Sequence, residues 1–120
     1  MVYKEDIILK CRIFIVKIIK YIETLPIGNV KFSVGKQLID SAGSIGANMV
    51  EARFARSPKE FVSSSRIALK EANETLFWLD TLQDLDLINS DVYDNLIQEV
   101  RTIARIISAI IRNYRRKHNL

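Results

Sequence analysis

The sequence predicts an all-α fold, an antiparallel up-down-up-down four-helix bundle. Three observations point there. Apolar residues recur at the helical period in four consecutive segments, the connections between segments are short, and no alternating apolar-polar run bounded by turn residues competes. At 120 residues and 48% hydrophobic, the chain suits one domain over 1–120, with a real core and no tendency to disorder.

The first helix is predicted from about Lys4 to Thr24. Its main stripe is Ile7, Ile8, Cys11, Phe14, Ile15, Ile18, Ile19 and Ile22. Pro26 ends it, because proline restricts the preceding residue and donates no backbone hydrogen bond. The second runs from about Ser33 to Ala55, with Leu38, Ser41, Ile45, Asn48 and Ala52 on one face. Gly43 and Gly46 sit inside it and would let a neighbouring backbone come close. The third opens with Ser57 as N-cap, Pro58 in the first helical position and Glu60 completing a Ser-x-x-Glu capping box. Its stripe is Phe61, Ser65, Ala68, Ala72, Leu76 and Leu79, and it ends near Asp86. The fourth is expected after Ser90 as N-cap, reaching about Arg116. Leu96, Ile97, Val100, Ile103, Ala104, Ile107, Ile110, Ile111 and Tyr114 form its apolar face.

Two helices carry more apolar surface than one core needs. Leu9, Ile13 and Val16 project opposite the main stripe of the first, and Ile67, Trp78 and Leu85 lie together away from Phe61 and Leu79 on the third. Such faces must be buried or left as a patch. Self-association into a homo-oligomer is the expectation, against the alternative of scattered apolar residues left exposed.

Charge is unevenly placed. The net charge is +4. Glu71, Glu74, Asp80, Asp84, Asp86, Asp91, Asp94 and Glu99 occupy a stretch without lysine or arginine, whereas Arg101, Arg105, Arg112, Arg115, Arg116 and Lys117 follow without an acid. In an antiparallel bundle one pole is then acidic. The other gathers Lys4, Arg53, Arg56, Lys59, Arg115, Arg116 and Lys117. Arg101, Arg105, Arg112 and Arg116 fall in one sector of the fourth helix, over about 22 Å at 1.5 Å per residue. That length could follow several phosphates of RNA or DNA, since phosphate contact needs only positioned cations. A solvated face that complements the helix dipole and a protein partner remain alternatives.

The residues for chemistry are missing. His118 stands alone near the C-terminus and reads as an uncommitted, mobile tail residue, and Cys11 falls on the apolar stripe, where a thiol is inert. Glu-x-x-His pairs, which build di-metal sites in bundles, are absent, as is a phosphate-binding glycine loop with its lysine. No enzyme activity, cofactor or metal is expected. Lys10, Arg12, Lys17 and Lys20 interrupt the apolar N-terminal run, which argues against an export signal or membrane span and for a soluble, cytoplasmic protein. With one cysteine no internal disulfide forms, consistent with a reducing compartment. Asn48, Glu51, Glu71 and Glu74 lie close enough to the core stripes to suggest a polar network that sets helix register, with a ligand pocket as the alternative.

Ser44-Ile45-Gly46-Ala47-Asn48-Met49-Val50-Glu51-Ala52, then Ser57-Pro58-Lys59-Glu60-Phe61, then Ala68-Leu69-Lys70-Glu71-Ala72-Asn73-Glu74-Thr75 resemble the four-helix-bundle proteins encoded in bacterial 23S rRNA intervening sequences. The resemblance covers about residues 35 to 112. Gly46 stands where that family usually has proline, which implies a less kinked second helix, and Ala52 stands where it usually has glycine. The resemblance implies a ring-shaped oligomer, commonly a pentamer, with no established enzymatic activity. It also extends to the accessory proteins of diversity-generating retroelements, which implies association with nucleic acid and with a neighbouring enzyme. Asn48, Glu51, Glu71 and Glu74 match the family's recurrent polar positions.

Overall fold

The computed structural model describes residues 2–120, with side chains from Ile7 onward. Lys4, placed at the basic pole by the sequence, therefore lies outside the described side chains. Four helices follow one another: α1 (Val2–Glu23), α2 (Asn29–Arg53), α3 (Pro58–Asp84) and α4 (Ser90–Lys117). Each packs against the next, and α4 closes back on α1, so α1 and α3 occupy one diagonal of the bundle and α2 and α4 the other. The rod measures 48 × 23 × 20 Å. No described helix is long and apolar enough to cross a membrane.

The helical stripes meet along the axis. Phe14, Ile18, Leu38, Ile45, Met49, Phe61, Leu79, Ile103 and Ile107 are among the side chains sealed in the centre. Ile19 departs from its predicted place in the stripe and is exposed. At about 100° per residue it stands roughly 80° from Cys11, beyond the width that α2 and α4 can cover.

Local chemistry sets the helix ends. Ser57 accepts a hydrogen bond from the Glu60 N–H at 3.2 Å, as the capping motif requires. Asn89, not Ser90, caps α4, accepting from the Val92 N–H at 2.8 Å; its carboxamide reaches the orphan donors of the first turn while Ser90 becomes the first helical residue. α2 starts at Asn29, four residues before the predicted Ser33. The Ser33 hydroxyl is occupied by the Asn29 carbonyl one turn back, so it does not cap. Gly28, at φ +157°, takes a backbone conformation costly for other residues and lets α2 begin directly after the turn. α3 ends in a Schellman turn: Leu87 N–H donates to the Leu82 carbonyl at 3.0 Å and Asp86 N–H to that of Gln83 at 3.0 Å, with Asp86 itself left-handed at φ 57°.

Three contacts lock the helices in height. A Cβ added at Gly46 would lie 2.9 Å from Cys11 Cβ, so α2 and α1 meet there almost backbone to backbone. Between α2 and α3, the buried Thr75 hydroxyl donates to Ser41 Oγ at 3.0 Å. Between α3 and α4, Phe61 and Tyr114 stack with ring centroids 3.8 Å apart. The Tyr21 hydroxyl adds a tie from α1 to the Leu87 carbonyl, in the α3–α4 connection.

Alanine at Gly43 and Gly46 should separate helix propensity from packing. At Gly43 the nearest atom to the new methyl is 3.7 Å away, an ordinary contact, so Gly43→Ala should gain up to about 1 kcal/mol in chemical denaturation. At Gly46 the methyl meets Cys11 Cβ, which cannot swing aside, and overpacking should outweigh the propensity gain for a net loss of about 1 kcal/mol. A Gly46→Ala protein as stable as its parent would show that α1 gives way freely.

Burial pushes the Cys11 thiol up to about 12, so it should react with a thiol reagent at pH 8 only as fast as the protein unfolds. The same shift fixes a sign: the neutral thiol's contribution to stability is intact below about pH 9, where a free thiol ionises, and is lost as pH rises toward 12. Cys11→Ala should therefore lose less stability than the parent over that alkaline range. Fast labelling of the native protein would contradict this placement.

Candidate nucleic-acid interface

The antiparallel register of α3 and α4 decides where the cations gather. Phe61 on Tyr114 pins one end, and the Tyr93 hydroxyl donating to Asp80 pins the other. That hydrogen bond, then burial and the Asp80 charge, hold the Tyr93 phenol above its ordinary pKa. Arg101, Arg105, Arg112 and Arg116 are exposed along the outer side of α4. Arg105 Nη2 donates to Thr102 Oγ1 at 3.1 Å, which steadies one member of the row. Beside the lower part of this row, an open notch of about 520 Å³ is lined by Lys59, Val62, Ser63, Arg66 and Ile67 of α3 with Arg115 and Leu120 of α4 and the chain's end. Three cations and a hydroxyl thus border one recess.

Arg66 is the residue the sequence reading missed. It lies mid-helix in a stretch of mixed composition, and only the α3–α4 pairing brings it beside Lys59 and Arg115. A helical-wheel comparison of the two helices would have found it, since Lys59 and Arg66 share the outer side of α3. The remaining basic residues are more dispersed. Arg53 lies over the Phe54 ring, 5.4 Å from its centroid. Arg56, Arg116 and Lys117 are exposed near the same pole. None of the named arginines and lysines is in an ion pair among the described residues; the pairs present there are Lys17–Glu99 at 2.6 Å, Lys31–Glu23 at 3.9 Å and Lys36–Asp40 at 2.7 Å.

The acidic end also forms as expected, with Asp80, Asp84, Asp86, Asp91 and Asp94 exposed around the α3–α4 connection. Near it, Asp94 and Tyr93 share a shallow recess with Arg101 and Arg105, so the arginine row meets the acidic region there. His118, expected in a mobile tail, is instead packed: its ring stacks on Tyr114 at 4.1 Å and Nδ1 lies 2.9 Å from the Tyr114 carbonyl. Continuation of α4 through Lys117 carries the ring back over Tyr114, one turn earlier.

Asn48, Glu51, Glu71 and Glu74 do not enter the central core. Asn48 is half-buried and donates to the Ser44 carbonyl of its own helix at 2.8 Å. Glu51 is exposed, and Glu74 accepts from Trp78 Nε1 at 3.4 Å. Partial burial and the neighbouring Glu74 charge hold the Glu71 carboxyl above its ordinary pKa, with Lys70 opposing. The buried hydroxyl pair linking α2 and α3 is Ser41 with Thr75, and Thr75 Oγ1 also lies 2.8 Å from the Glu71 carbonyl, so its single proton is shared between the two contacts. Ser41 lies on the α2 stripe legible in the sequence, whereas its partner Thr75 is found only once α2 and α3 meet.

The second apolar faces remain uncovered in the protomer. Leu9, Ile13 and Val16 are 52%, 49% and 48% exposed, and Ile67 and Leu85 are similarly open. Trp78 is half-buried and meets Phe77 edge-on at 4.9 Å. No group of described residues could hold a metal ion.

The solved structure of a protein of unknown function from the S23 ribosomal protein family of Bacteroides thetaiotaomicron VPI-5482 is similar to this fold. It matches with a TM-score of 0.86 and 33% identity, over 92% of this chain and 98% of that one. No functionally curated protein matches the chain. The family model described as 23S rRNA-intervening sequence protein matches residues 4–109, and on that match the chain belongs to the 23S rRNA-intervening sequence protein family.

Proposed function

We propose that the chain is a noncatalytic homo-oligomeric bundle that binds nucleic acid, RNA or DNA, through the outer face of α3 and α4. The observation that carries the reading is the row Arg101, Arg105, Arg112 and Arg116 running beside the notch of Lys59, Arg66 and Arg115, all without ion-pair partners among the described residues. Unpaired cations arrayed along a helix match a phosphate backbone, and each phosphate neutralised releases counterions. Dipole compensation accounts for Arg115, Arg116 and Lys117 in the last turn of α4. It does not account for Arg101, Arg105 or Arg66, which lie mid-helix. Several copies in one assembly would multiply a weak patch through avidity.

A second reading rests on the exposed apolar faces. There the bundle is a scaffold that docks a partner protein, such as an enzyme encoded nearby, as the resemblance to retroelement accessory proteins implies. A lysate pull-down that recovers the same protein after nuclease treatment would favour that version.

The test of the first reading is binding of a structured RNA hairpin and its DNA counterpart as salt is varied. With about four phosphates engaged, affinity should fall by about a hundredfold between 50 and 200 mM salt. A variant carrying Arg101→Glu, Arg105→Glu and Arg112→Glu should lose most of the remaining affinity while keeping its helical circular dichroism, since all three side chains are exposed. Binding indifferent to salt, or undiminished in that variant, would discard the proposal.

A further inference from the structure

Two uncovered surfaces stand on different sides of the bundle. One is a ridge on α1, where Leu9, Ile13, Val16 and Ile19 are exposed among Arg12 and Lys20. Neither of these two cations has an ion-pair partner among the described residues. The other is the flank of α3 that turns toward α2. Thr75 identifies it, since its hydroxyl bonds Ser41 of α2, whereas Asp80 faces α4 through Tyr93. At about 100° per residue, Glu71, Glu74 and Trp78 fall on the α2 side, within roughly 100° of Thr75, and Ile67 lies at the edge of this flank, where it also borders the notch with Arg115 and Leu120. This flank therefore carries two neighbouring carboxylates that are in no ion pair among the described residues, together with a half-buried indole and an exposed isoleucine.

We infer that the partner of the α1 ridge is the α3 flank of a second copy of this chain, with Arg12 of one copy set against Glu71 of the next and with Lys20 and Glu74 adding charge of the same two signs to the ridge and the flank. The inference rests on the homo-oligomer reading above and deepens it by naming the two surfaces that meet.

Height supports the pairing as well as charge. Cys11 lies against Gly46, and Gly46 is five residues beyond Ser41 in α2. α3 runs the other way, so five residues before Thr75 brings Lys70 to the height of Cys11. α1 and α3 run parallel in the bundle. Copies related by rotation about an axis along the bundle keep their heights, so Arg12 comes level with Glu71, Leu9 with the turn containing Ile67, and Ile19 with Trp78. Arg12 meets Glu71 and apolar meets apolar in a single register, whereas Lys20 stands level with Leu79, about 7.5 Å along the axis from Glu74 at 1.5 Å per residue. The partly desolvated Glu71, with its carboxyl disfavoured as an anion by Glu74, gains most from an arriving cation. α1 and α3 occupy opposite corners, so each copy offers one ridge and one flank. The contact is then heterologous, and it closes into a ring when the rotation permits.

Light scattering on the full chain tests this with charge reversal. The α1 variant Arg12→Glu, Lys20→Glu and the α3 variant Glu71→Lys, Glu74→Lys should each fall to protomer mass, and the four-site variant should reassemble. An assembly whose mass survives either two-site reversal, or a four-site variant that stays dissociated, overturns the pairing and leaves the oligomer reading standing. A monomeric parent protein would instead end the oligomer reading itself. Should the Glu71 variant fail to fold, bismaleimide cross-linking decides. A chain bearing Arg12→Cys and Glu71→Cys should give a ladder of covalent multimers while buried Cys11 stays silent, and the Arg12→Cys chain alone should give none. Covalent dimers from that single variant would mean that α1 meets α1, which overturns the inference.

Discussion

At Gly46 the backbone of α2 approaches α1 so closely that a methyl group there would sit 2.9 Å from Cys11 Cβ. This approach sets the height of α1 against α2, much as the Ser41–Thr75 hydrogen bond sets α2 against α3 and the Phe61–Tyr114 stack sets α3 against α4. A packed apolar interior tolerates little sliding, because each step along a helix turns its stripe away from the neighbours and opens voids. The interlocks choose one register among those that the stripes alone would allow. Every charge on the outside then inherits its position from these inner contacts. A slip of one turn between α3 and α4 would part Lys59 and Arg66 from Arg115, and the cationic recess would disperse.

The outer charges are free to be arranged in this way because they contribute little to folding. The Lys17–Glu99 pair, which bridges α1 and α4, is partly solvated, with side chains 44% and 29% exposed, and such pairs are worth at most about 1 kcal/mol. The bundle stands on buried isoleucine, leucine and phenylalanine. Its surface can therefore hold an arginine row on one side, a carboxylate pair on another and an acidic end without upsetting the core. The exposed carboxylates at the end of α3, Asp84 and Asp86, even oppose the helix dipole, and Asp86 adopts a left-handed backbone that glycine would take at less cost.

The chemically versatile side chains are committed to structure: Cys11 is sealed between α1 and α2 with its thiol neutral, and His118 is stacked on Tyr114. Thr75 and Ser41 satisfy one another. The described surface carries exposed charge and exposed apolar side chains.

Much of this was legible in the amino-acid order alone. Isoleucines and leucines spaced three and four apart mark four helices wherever they occur, because burial rewards that spacing regardless of neighbours. Ser57 and Pro58 announce the start of α3 through bonds made within a few residues, and the arginine row of α4 needs only the helical repeat. Features that depend on two segments meeting were settled by the tertiary structure. Arg66 joins Lys59 and Arg115 only after α3 and α4 pair, Ile19 is left outside because α2 and α4 cover a limited arc, and Gly46 finds Cys11 rather than open space. Asn48 shares a stripe with Ile45 yet turns to its own helix, while Ser41 and Thr75 form the buried link. Periodicity is a property of one helix and can be read along it; register belongs to a pair of helices and is decided where their side chains collide.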